Sequence, residues 1–166
     1  GGNFDLRYVR ATDTNGSTWS PPVSFDVTGD IGQWSSLKVV NGNPAISFFE
    51  KSNSSYGLLK YVRAIDTSGT EWAAAVTADV AFGDVGKYSS LQLVNGNPAI
   101  SYLANGNLNY VRATNASGTA WGTPVYIDFY GLTPEAYNSL QIVNGNPAIV
   151  YYSGSGSLKY VRANDA

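Results

Sequence analysis

Ser90–Leu103 reads Ser-Leu-Gln-Leu-Val-Asn-Gly-Asn-Pro-Ala-Ile-Ser-Tyr-Leu. Two alternating apolar stretches flank Asn95-Gly96, the dipeptide best suited to a two-residue hairpin turn, because both of its residues tolerate positive φ. Pro98 stands at the start of the second stretch, where a missing backbone donor costs the ladder least. The same Val-Asn-Gly-Asn-Pro-Ala-Ile core begins at Val40, Val94 and Val143. Between these copies runs a second motif, Tyr-Val-Arg-Ala, at Tyr8–Ala11, Tyr61–Ala64, Tyr110–Ala113 and Tyr160–Ala163. Successive copies lie about fifty residues apart, with no helical periodicity between them, which marks a stacked β array.

The stretches on either side of this hairpin complete one repeat. Ser90–Val94 is strand A and Pro98–Leu103 strand B. Leu108–Ala113 is strand C, and Trp121–Asp128 strand D. Four antiparallel strands per repeat predict an all-β chain, a β-propeller of four-stranded blades with about three repeats. A parallel β-helix is the competing array, with coils usually shorter and poorer in hairpins. The whole chain, 1–166, reads as one repeat array out of phase with its own blades: strands C and D over 6–28, a blade over 36–80, a blade over 90–129, and strands A, B and C over 139–163. Propellers need about four to eight blades to close, so a second copy, or continuation of a longer array, has to complete the ring. Head-to-tail pairing of two copies, with the Trp19–Asp26 strand of one completing Ser139–Ala163 of the other, gives a homodimer of about six blades. The surplus strand C, Leu6–Ala11, is then displaced or added outside.

Composition excludes several function classes. The net charge is −2 and only 13% of residues are charged, with no basic cluster, so nucleic acid is not an expected partner. No apolar run approaches the length of a membrane helix, so no membrane partner is expected either. The absence of Cys and His removes disulfides, thiolate chemistry and the common zinc sites. No cofactor and no metal site is expected; Asp30 and Asp84, beside glycines, read as solvated turn acids rather than calcium ligands. A secreted or cell-surface location is favoured.

In a meander, the A–B and C–D turns lie on one face and the B–C and D–A loops on the other. The A–B motif and the Tyr-to-Trp spacing across C–D never change, so every length difference falls on the opposite face. Variable loops on a rigid scaffold are where binding is usually built. There Trp34, Tyr88 and Tyr137 occupy one repeated position in the D–A loops, followed by Ser35, Ser89 and Asn138. Aromatic faces beside hydroxyl and amide groups suit sugar rings, and these six residues, with the loops Glu50–Gly57, Ala104–Asn107 and Ser153–Ser157, form the candidate ligand site. Wedging of the same aromatics between blades as packing is the alternative.

The C–D turns run from Asp13 to Trp19, from Asp66 to Trp72 and from Asn115 to Trp121, each with a Gly three residues before the Trp. They resemble the Asp-box turn of sialidase-type propellers, with one extra residue between Asp and Gly and with Ala11, Ala64 and Ala113 in place of the leading Ser/Thr. The resemblance implies a propeller in which Asp13, Asp66 and Asn115 cap the turn while Trp19, Trp72 and Trp121 pack into the blade, largely buried. It extends to scaffold only. Arg10, Arg63, Arg112 and Arg162 are copies of one strand-C position and are expected to meet local carbonyl or acidic partners rather than converge on one substrate carboxylate. Asp26, Asp79 and Asp128 are likewise one repeated position, while Glu50, Glu71 and Glu135 stand singly. No pair of carboxyls can be placed across one glycosidic bond, so no catalytic residue is nominated. The expected function is a non-enzymatic binding or scaffolding module, carbohydrate-binding through its aromatics. A structural protein-interaction repeat and a fragment of a glycoside-hydrolase-like enzyme are the alternatives.

Overall fold

The structure, a computed structural model, describes residues 6–25, 30–53, 56–129, 137–154 and 156–165. The described residues contain β-strands and no helix. A first, short unit pairs β1 (Arg7–Tyr8) with β2 (Val23–Ser24). A second unit is a meander of β3 (Asp30–Val40), β4 (Asn43–Asn53), β5 (Tyr56–Arg63) and β6 (Val76–Asp79), each antiparallel to the one before. The third repeats it with β7 (Gly83–Val94), β8 (Asn97–Ala104), β9 (Asn107–Arg112) and β10 (Val125–Phe129). The fourth has β11 (Asn138–Val143), β12 (Asn146–Ser153) and β13 (Ser157–Arg162). A short parallel pairing, Tyr56↔Gly83 and Gly57↔Asp84, joins the second and third units into one eight-stranded sheet. None of the sheets is closed.

Turn chemistry sets the register. Asn41-Gly42, Asn95-Gly96 and Asn144-Gly145 all take positive φ, so each hairpin closes in two residues, with Val40 opposite Asn43 and its equivalents opposite theirs. Asn105-Gly106 makes the same kind of turn between β8 and β9, which shortens the expected Ala104–Asn107 loop to a tight hairpin. The Asn41 amide also donates to the carbonyls of Gly96 and Ala116, at 3.0 and 2.8 Å, tying one unit's turn to two turns of the next.

Two strand boundaries differ from the sequence reading. β3 and β7 begin at Asp30 and Gly83, well before Ser36 and Ser90, because the pairing continues past an irregularity. Register shifts between Gln33 and Ser36, and between Lys87 and Ser90, set Trp34-Ser35 against Phe48 alone and Tyr88-Ser89 against Tyr102 alone, one extra residue each. Trp34 and Tyr88 have φ of 50° and 54° there, so these aromatics stand on bulges of the first strand rather than in loops. The fourth strand is shorter than expected: β6 and β10 start at Val76 and Val125, and each turn tryptophan precedes them as an isolated bridge, Ala64↔Trp72 and Ala113↔Trp121.

Each unit is too thin to have a core of its own, so the apolar faces are buried between successive units. Leu6 and Tyr8 meet Ile31, Ile46, Phe48 and Val62 between the first and second units. Leu59, Tyr61 and Ala78 meet Leu91, Ile100, Tyr102 and Val111 between the second and third. Leu103 and Leu108 meet Leu140, Ile149 and Tyr151 between the third and fourth. At about 1.5–3 kcal/mol per large apolar side chain buried, stability is distributed over three interfaces. Two polar bonds span the last two: Tyr102 donates to Asp79, and Tyr151 to Asp128 at 2.6 Å.

Candidate functional site

Trp34 and Tyr88, on the bulged first strands, and Tyr137, just before β11, form one row. The Trp34 and Tyr88 ring centroids are 5.1 Å apart, and those of Tyr88 and Tyr137 are 5.6 Å apart. Trp34 and Tyr88 are half-buried, whereas Tyr137 is 69% exposed at the end of the row. Phe49 closes on Trp34 edge-on at 5.2 Å, and the Lys87 ammonium, held by Asp84 at 2.6 Å, lies 5.5 Å from the Trp34 ring.

The polar residues beside the row are engaged across units. Ser89 is buried, donates to the Trp34 carbonyl at 2.9 Å and meets the Ser47 hydroxyl at 2.8 Å. Asn138 repeats this one unit later, donating to the Tyr88 carbonyl at 2.7 Å while accepting from Ser101. Ser36 and Ser90 accept from the backbone N–H groups of Leu91 and Leu140. Ser35 is exposed. The structure therefore gathers the six candidate residues along one line, and uses Ser89 and Asn138 to fasten neighbouring first strands. Of the flanking loops, Ser54, Ser55 and Ser155 lie outside the described residues.

The three C–D turns fold alike. Asp13 accepts from the Ser17 N–H and from the Ser17 and Thr18 hydroxyls. Asp66 accepts from the backbone of Ser68, Thr70 and Glu71, and Asn115 from the Thr119 N–H. Hydroxyl donors from Ser17 and Thr18 hold the Asp13 carboxyl down at about 2; the Ser68 hydroxyl and the Glu71 N–H hold Asp66 well below the usual carboxylate range. Each tryptophan donates its indole N–H to the carbonyl of its turn glycine: Trp19 to Gly16, Trp72 to Gly69, Trp121 to Gly118.

The expected burial of these tryptophans needs correction. Trp72 and Trp121 are half-buried, and Trp19 is 59% exposed. The Trp72 and Trp121 rings lie at the interface and pack against the preceding unit as well as their own. Trp72 sits edge-on to Tyr8 and Phe25, with centroids 5.1 and 4.9 Å away, and Trp121 sits edge-on to Tyr61 at 5.2 Å. Trp19 has no described unit in front of it. Gly69 and Gly118 lie against the same tyrosine rings so closely that a Cβ would collide with them, whereas a Cβ on Gly16 would meet only Trp19, at 4.0 Å.

A further feature was not anticipated from sequence: an open groove of about 350 Å³ between the third and fourth units, lined by Tyr110, Val125, Ile127, Ile149 and Val161. It occupies the place that Trp121 takes one interface earlier.

Several ionisable groups are tied up locally. Arg63 donates to the carbonyls of Val40 and Asn41, and Arg162 to that of Val143. The Arg112 Nε is buried without a hydrogen-bond partner at the groove. Asp128 is held below the usual carboxylate range by Lys159 and by Tyr151. Burial raises the Tyr102 and Tyr151 phenols, and the Asp79 and Asp128 carboxylates raise them further; burial pushes Tyr61 up to about 12. Glu50 pairs with Lys60 at 3.6 Å. Asp26 and Glu135 lie outside the described residues, as does the side chain of Asp30. Among the described residues no cluster of His, Cys, Asp and Glu could hold a metal ion. Compared with protein-family models and with curated proteins, the sequence matches none.

Proposed function

We propose that the chain supplies the blades of a β-propeller of the Asp-box-like kind and serves as a non-enzymatic binding and scaffolding module. The observation that carries the reading is the repetition of one set of contacts from unit to unit. Ser89 to Trp34 and Asn138 to Tyr88, Ser36 to Leu91 and Ser90 to Leu140 recur in the same places. A constant set of contacts implies a constant rotation, and a constant rotation of four-stranded units about their first strands generates a disc. The carboxylates support a non-catalytic role: Asp13, Asp66 and Asp128 have lowered pKa values and several donors each, the opposite of a poised general acid.

The ring closes through a second copy of the chain, giving a head-to-tail dimer of about six blades. Light scattering at micromolar concentration should return twice the chain mass. A monomeric mass with a cooperative unfolding transition would rule the dimeric ring out.

Carbohydrate is the favoured ligand class, because Tyr137 presents an open aromatic face at the end of the row and Ser35 leaves an exposed hydroxyl at its start. Binding on a glycan array that is lost in Tyr137→Ala supports it. Retention of a protein partner with no glycan signal would instead favour the interaction-repeat reading.

A further inference from the structure

The parallel joint between the second and third units carries an aromatic pair that neither core takes in. Tyr56 and Phe82 meet edge-on with centroids 5.2 Å apart, and Phe82 is 76% exposed. The backbone beneath Phe82 is nevertheless tightly held. The Asn105 side chain donates to the Phe82 carbonyl at 2.5 Å and accepts from the Asp84 N–H at 3.2 Å. The Asn105 N–H donates in turn to the Asp84 carbonyl at 3.2 Å. Gly83, between them, has a φ of 90°, and a Cβ there would collide with the Asn105 amide. Tyr56 is fixed by its ladder pairing with Gly83. The pair is therefore ordered before any ligand arrives, so contact with it costs little further entropy.

A polar station follows directly along β7. Asp84 and Lys87 pair at 2.6 Å with both side chains partly exposed, and the Lys87 ammonium lies 5.5 Å from the Trp34 ring. The order is aromatic pair, ion pair, aromatic row. Phe82 and Lys87 are five residues apart on a chain that rises about 3.3 Å per residue, farther than one pyranose ring spans. We propose that Tyr56–Phe82 is a second stacking station and that the ligand is an oligosaccharide. One sugar lies on Phe82, a later one reaches the Trp34 row, and Asp84 and Lys87 hydrogen-bond hydroxyls between them. This rests on the carbohydrate reading above and sets the length of its ligand. A pyranose covers an aromatic ring with its C–H face and keeps its hydroxyls for polar partners, which matches stacking surface next to an ion pair. Other occupants fit less well. A peptide added as a strand needs a free edge, and here β5 and β7 pair with each other through Tyr56↔Gly83 and Gly57↔Asp84. An anionic membrane surface needs a basic patch, and Asp84 neutralises Lys87.

Chain length gives the test. The probes are arrayed series of glucose, galactose, mannose and N-acetylglucosamine, from single sugars to hexasaccharides. The protein should prefer the long members of a series to the single sugar by at least about tenfold, the worth of one good stacking contact. Phe82→Ala should remove that preference, and Phe82→Tyr, which keeps the stacking face, should retain it. Because the ring is mostly exposed, Phe82→Ala should leave the urea unfolding midpoint unchanged, which separates a lost contact from a lost fold. A preference for length that survives Phe82→Ala, or equal binding of short and long chains, overturns the second station while glycan binding at the row stands. No signal from any series overturns the carbohydrate reading, and the second station with it.

Discussion

The interface between the second and third units and the one between the third and fourth are built from the same parts. Leu59 and Tyr61 advance against Ile100 and Val111 in one, Leu108 and Tyr110 against Ile149 and Val161 in the other. They differ by one tryptophan: Trp121 fills the first, and the second is left as a groove. The comparison separates two properties that a turn motif combines when read as sequence. The conformation of the turn is local, since Trp19, Trp72 and Trp121 make the same indole bond to the same glycine carbonyl. Burial is not local, because it depends on a tyrosine in the preceding unit.

The sharpest way to break this comparison is to truncate both kinds of tryptophan. Trp121→Ala should cost about 2–4 kcal/mol in a urea titration, the lower part of the range for a large aromatic because the ring is half-buried. Trp19→Ala should stay within about 0.5 kcal/mol for the monomer. Equal costs would mean that the tryptophan acts within its own turn and not at the interface.

The glycines sharpen the same contrast. Gly118→Ala forces a Cβ onto the Tyr61 ring in addition to the unfavourable positive φ, and should cost about 2–3 kcal/mol. Gly16→Ala meets only the backbone penalty, about 1 kcal/mol. A difference near zero would show that the ring relaxes away freely. The cross-unit phenol is a smaller effect. Tyr102→Phe removes one hydrogen bond to Asp79 and should cost about 1 kcal/mol; Phe48 fills the equivalent strand position one unit earlier without a hydroxyl.

The turns themselves differ in pH response. With a folded value of about 2 against about 3.9 when unfolded, Asp13 contributes stability that is complete above the unfolded value. That contribution disappears as pH falls from about 4 through about 2. Carbon-detected NMR titration of its carboxyl should give a midpoint near 2, with Asp66 lower still. The Asn115 turn, with an amide in that place, should show no such step.

Much of the architecture could be read from particular residues. Asn-Gly at three equivalent positions, followed each time by Asn-Pro, marked the hairpins and their register, because few other dipeptides adopt two consecutive positive φ values. The bulges at Trp34 and Tyr88 were not readable, since nothing in an aromatic side chain signals positive φ. They moved those residues from loops into strands. Trp19 was misjudged for a related reason: sequence repetition shows that three tryptophans are equivalent in their own units, but exposure depends on the neighbouring unit. The Tyr102–Asp79 bond, likewise, joins a strand of one unit to a strand of the next, and no spacing within a repeat points to it.

The Asn-Gly turn that fixes register also bears on the chemical lifetime of the protein. Asn41 is followed directly by Gly42, whose unhindered backbone nitrogen is the nucleophile best able to close on the preceding amide and release ammonia. Water then opens the resulting succinimide at either carbonyl to give aspartate or isoaspartate. Asn41 now presents its amide donors to two carbonyl oxygens of the neighbouring unit. After deamidation an anion would face those oxygens, and the isoaspartate form would add a methylene to a turn that has room for two residues. The tie between those turns would then fail through slow covalent ageing, with no mutation needed.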